Sequence, residues 1–120
     1  MTKPIRLLAD GHPESGFVPS SLVADGDFTT SDKTETISSF FESRDEKISV
    51  GVWECAPCRE DIEAYPVDEM MTVISGSVTL TGSDGVAQVF GAGDTFFVPK
   101  GTPCTWEITQ TLRKFYMIAE

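Results

Sequence analysis

Histidine is almost absent from this chain. One residue, His12, stands among 120, so no nitrogen-rich cluster of the kind that selects zinc, iron or copper can be assembled. Basic residues are also scarce, with 9 Lys and Arg against 19 Asp and Glu and a formal net charge of −10. A surface so acidic repels phosphate backbones and anionic membranes, which speaks against nucleic acid as a partner. Long hydrophobic runs are missing too. The first segment, MTKPIRLLADG, has only a three-residue apolar run before Asp10, and no window approaches the length of a membrane span. The expectation is a soluble, cytoplasmic protein with no membrane partner. Three cysteines, an odd count, argue against a disulfide framework and for free thiols.

A chain of 120 residues is long enough to bury roughly two-thirds of the surface exposed by its unfolded form, so stability demands neither disulfide nor structural metal. Residues 1–33 are rich in Gly, Pro, Asp and Ser, with Phe17, Val18, Leu22, Val23 and Phe28 in no helical register. They read as an irregular arm, able to strap a partner subunit, in front of a barrel over residues 34–120. TETISSFFES and KISVGVWEC are strand-like and flank the charged corner Arg44-Asp45-Glu46, which suits a hairpin. Further strands are expected at 62–65, 69–75, 77–81, 87–90, 95–98, 104–109 and 112–119, with a tight turn at GSDG. Short strands at roughly ten-residue spacing, without an amphipathic helix, predict an all-β sandwich or closed barrel. Met70, Met71, Val73, Ile74, Val78, Leu80, Phe90, Phe96, Phe97 and Val98 read as the packed walls of two apposed sheets.

The segments GVWE, YPVDEMMTVISGSVTL, GDTFFVPKGTPCTWE and RKFYMI resemble the cupin superfamily. More closely, they resemble the small cupins named after the (S)-ureidoglycine aminohydrolase domain, a group that also contains an ethanolamine-utilisation protein. The resemblance covers residues 49–118 and implies a cupin-type jelly-roll barrel, a double-stranded β-helix. Cupins carry two motifs, the first with two histidines, a glutamate and a glycine, the second with a glycine, a Pro-x-Gly and a histidine. On this chain Glu69, Gly76, Gly93, Pro99 and Gly101 match. Glu63 and Tyr65 stand where the paired histidines belong, and Cys104 replaces the last histidine.

Glu63 and Tyr65, two apart on one strand face, with Glu69 beyond the Pro66 turn, are the candidate catalytic set. Two carboxylates, a phenol and a thiol suit manganese or magnesium, with Glu63 and Glu69 as ligands. Without a cation, two buried carboxylates would share a proton as an acid/base pair. Trp53, Trp106, Lys114, Tyr116 and Cys104 are candidate ligand-binding residues. Trp and Tyr give apolar walls with polar tips, and alternation puts Lys114 and Tyr116 on one face with Leu112 and Ile118. The resemblance implies that Trp106 and Lys114 are typical of the family pattern. It also implies an amine- or carboxylate-bearing substrate such as a ureide or sugar acid. Two functions are expected in competition: a metal-assisted enzyme on a small polar metabolite, in a homodimer, or a non-catalytic ligand-binding or regulatory cupin. Cys55-Ala-Pro-Cys58 has redox or zinc spacing, but it follows a strand and lacks a second pair.

Overall fold

The computed structural model describes residues 2–120. Eight strands form in chain order: β1 (Val18–Pro19), β2 (Glu35–Glu42), β3 (Ile48–Cys55), β4 (Cys58–Ile62), β5 (Asp68–Gly82), β6 (Ala87–Gly91), β7 (Thr95–Val98) and β8 (Cys104–Ala119). One 3-10 turn, Asp25–Asp27, is the helical element among the described residues. All pairings are antiparallel. The sheet runs β1-β2-β3-β8-β5-β6, with β4 also on β8 and β7 also on β5.

The long strands β5 and β8 organise the barrel. The first half of β5 pairs with the second half of β8, which also binds β3. The second half of β5 pairs with the first half of β8, which also binds β4. Between the halves the β5–β8 register shifts at Ser75 and Ser77, around Gly76 with φ of +77°. A Cβ at Gly76 would sit 2.0 Å from the Thr111 carbonyl oxygen, so only glycine permits this bend. The bend turns one ribbon into two facing layers, which bring the Trp53 and Trp106 rings within 6.3 Å of each other. The segments expected as separate strands at 69–75 and 77–81, and at 104–109 and 112–119, are therefore single bent strands.

The charged corner forms as expected, with Ser43 N–H donating to the Ile48 carbonyl across Arg44, Asp45 and Glu46. GSDG likewise closes β5 onto β6, with Gly85 at φ of +81°. The strand expected at 62–65 does not form. Pairing on β8 ends at Ile62, and Tyr65 is held in a loop by backbone bonds to Gly101 and Thr102. Of the expected walls, Met71, Val73, Val78 and Val98 are buried. Met70 and Phe97, which pair across β5 and β7, are instead exposed on the outer face, because successive side chains alternate sides.

The arm lies on its own barrel, with residues 9–17 on the outer face and Leu22 and Val23 reaching the cavity between the layers. Arg113 Nη1 donates to the Ala9 carbonyl and its guanidinium covers the Phe17 ring at 4.8 Å, while His12 N–H donates to Ser38 Oγ. His12 is half-buried. Its ring packs on Phe40 and its Nδ1 accepts the Glu14 backbone N–H, so it caps a turn.

Candidate functional site

The bend leaves a cavity of about 660 Å³ between the two layers. Alternation along β8 sends Lys114 and Tyr116 into it, and β3, β5 and the Tyr65 loop supply Trp53, Glu69 and Tyr65. Lys114 and Glu69 are 4% and 5% exposed. Lys114 Nζ donates to Glu69 Oε2 at 2.7 Å and approaches Met71 Sδ at 2.9 Å. The same ammonium lies 4.9 Å from the ring centres of both Trp53 and Trp106. It is thus paired to a carboxylate and sandwiched by two indoles, which is how a buried ammonium avoids the cost of lost hydration. Tyr65 Oη donates to Glu69 Oε1 at 2.7 Å, completing a chain Tyr65–Glu69–Lys114. Burial first, and then the Glu69 carboxylate, push the Tyr65 phenol far above its ordinary value. Tyr116 is raised to about 12 for the same two reasons in the same order.

A second carboxylate fixes the other tryptophan. Glu35 Oε2 accepts Trp53 Nε1–H at 3.0 Å, the Ser20 hydroxyl and the Leu22 N–H, and Oε1 accepts the Val23 N–H at 2.9 Å. Burial raises this carboxyl, but the four donors together outweigh burial and hold it below the ordinary carboxylate range. By contrast, Trp106 Nε1, also buried, has no acceptor.

Six of the expected residues meet around this cavity: Tyr65, Glu69, Trp53, Trp106, Lys114 and Tyr116. Glu63 and Cys104 do not. Glu63 is exposed in the bend after β4 and shares a shallower hollow of about 230 Å³ with Cys104. The Glu63–Glu69 ligand pair therefore does not assemble, because Glu63 is off the strand that was to aim it inward. Both oxygens of Glu69 are engaged by this chain's own donors, and no group of three His, Cys, Asp or Glu among the described residues can hold a metal ion. Burial, and then Glu60, raise the Cys104 thiol.

Two carboxylates missed by the sequence reading border the site, Glu35 and Glu60. Glu60 lies opposite Trp106 in the β4–β8 register and lines the cavity. The signal for it was the alternation Cys58, Glu60, Ile62, visible once β4 is started at Cys58 instead of Ile62. Cys55 and Cys58 flank the β3–β4 turn, fully buried and unbridged. Contact with Cys58, and then burial, hold the Cys55 thiol well above its ordinary value.

The domain described as EutQ-like cupin matches residues 42–116, which span β3 through most of β8 and so carry the whole Tyr65–Glu69–Lys114 chain. The chain belongs to the EutQ-like cupin domain family. No curated protein matches it. Among solved structures, this cupin is similar to a protein of unknown function from Pseudomonas syringae, with 27% identity and a TM-score of 0.81. That match covers 94% of this chain and 46% of the other, so the chain spans about half the length of that relative. The EutQ protein of Clostridium difficile is 20% identical with a TM-score of 0.60, over 82% of this chain and 80% of that one. The polyketide cyclase RemF of Streptomyces resistomycificus is 21% identical with a TM-score of 0.57, over 71% and 64%. The last two show the shared jelly-roll fold alone. The expected all-β cupin barrel is what the chain forms.

Proposed function

We propose that this cupin is a binding protein that takes a small polar metabolite into the barrel, with the Tyr65–Glu69–Lys114 chain as its polar anchor. The observation that carries this reading is the ammonium of Lys114, held in the cavity wall between Glu69 and two indoles, where it supplies an internal cation. A concave, mostly apolar cavity with a few convergent polar groups is the usual form of a small-molecule site. The metal-assisted, aminohydrolase-type chemistry implied by the family resemblance would require a metal cation to displace the Lys114 ammonium from Glu69. The binding reading needs no such rearrangement.

The test is ligand-observed NMR against a set of small amines, acids and amides, on the wild type and on Glu69→Gln, with circular dichroism to verify folding. Binding that the substitution abolishes supports the reading. Affinity unchanged in folded Glu69→Gln overturns the placement of the site. A thermal shift on adding manganese or magnesium, lost in Glu69→Gln, would favour the metal enzyme instead.

A further inference from the structure

Among the described residues two cavity carboxylates have no side-chain partner, the exposed Glu120 and the half-buried Glu60, and of these Glu60 is the one set beside Trp106. Glu60 makes neither an ion pair nor a side-chain hydrogen bond among these residues, while its neighbour Arg59 pairs outside with Glu107 at 3.7 Å. The charges around it are unbalanced. Glu60, Asp61, Glu69 and Glu120 line the cavity against a single cation, Lys114, and that cation is already paired to Glu69. Glu35, behind Trp53, is solvated only by uncharged donors, so its negative charge also remains. The interior is therefore a region of negative potential with aromatic walls. An anion entering it is repelled, and a cation is drawn in.

Two more observations point to what enters. The indole faces of Trp53 and Trp106 already hold one ammonium, that of Lys114, so this wall is chemically suited to alkylammonium groups. Burial, followed by the carboxylates of Asp27 and Glu35, raises the Glu60 carboxyl, and a bound cation would relieve that penalty.

We propose that the cavity selects a small organic ammonium ion, with Glu60 as the residue that binds its positive charge. This rests on the cavity-binding reading above and adds the ligand's charge. Glu60 is a specificity residue here, distinct from the Glu69–Lys114 anchor.

Three probes that share a methoxymethyl end separate the possibilities: 2-methoxyethylammonium, neutral 1-methoxypropane and anionic methoxyacetate, compared by chemical-shift titration of the folded full chain. The ammonium is expected to bind, and the ether and the anion to bind at least about tenfold more weakly. Glu60→Gln is expected to lower ammonium affinity by about 10- to 100-fold, the range for losing a charged hydrogen-bond partner. This variant removes an unpaired, half-buried carboxylate, so it is expected to fold at least as well as the wild type, which thermal melts will show. Methoxyacetate or the ether binding as tightly as the ammonium, with all binding lost in Glu69→Gln, overturns the ammonium proposal and leaves the cavity reading standing. Ammonium binding unchanged in Glu60→Gln overturns it equally. No binding by any probe overturns both.

Discussion

Lys114 and Glu69 are buried together, and the pair is kept only while both members are present. Lys114→Met leaves Glu69 charged and desolvated, so the expected loss is about 3–5 kcal/mol, read by urea denaturation. In Lys114→Met/Glu69→Gln no bare charge remains and the amide oxygen still accepts from Tyr65, so the double variant is expected to recover much of that loss. Additive losses would show that the two residues act independently. Glu35 gives a prediction in pH. Its folded carboxyl is held below the ordinary value of 4.5, so its stabilisation is fully present above that value and is lost as pH falls through the lowered one. Glu35→Gln is expected to cost about 2 kcal/mol at pH 7. The gap from wild type should narrow in thermal melts as pH drops below 4.5, and a gap constant with pH would refute the assignment. At this scale the sequence made six cavity residues legible, because Trp and Tyr with polar tips and a lysine in an alternating strand leave few other places to go. Glu60 was not legible. Whether Glu60 or Glu63 faces inward depends on the register of β4 against β8, and that register is set by a partner about 45 residues away in the chain.

Local turn chemistry explains which elements could be read. Arg44-Asp45-Glu46 and GSDG specify their turns within four residues, and both form where expected. Gly76 is different. The same glycine can end a strand or bend it, and here the decision comes from the close approach of Thr111. Its substitution should therefore exceed the usual cost of a left-handed residue. Gly76→Ala combines positive φ with a 2.0 Å overlap on backbone and is expected to lose more than about 3 kcal/mol. Gly85→Ala has a similar φ of +81° but open space around the new methyl, so about 1 kcal/mol is expected. Equal losses for the two in urea denaturation would mean that the bend does not depend on close contact.

Across the whole molecule, the barrel hides its sulfur. Cys55 and Cys58 are fully buried and Cys104 is 8% exposed. The folded protein is therefore expected to react with a thiol reagent far more slowly than the unfolded chain, which should release all three equivalents at once. Rapid labelling of the native protein would place these sulfurs at the surface. The cavity draws on residues that precede the long strands. Leu22 and Val23 belong to the cavity wall, and their backbone is tied to Glu35, the carboxylate that also orients Trp53. A chain started at residue 34, where the regular strands begin, would keep the hairpins yet lose part of the chamber's lining and two of the amides that steady an indole. The container and the scaffold thus have different boundaries, and excising the tidy half would yield a vessel with one side open.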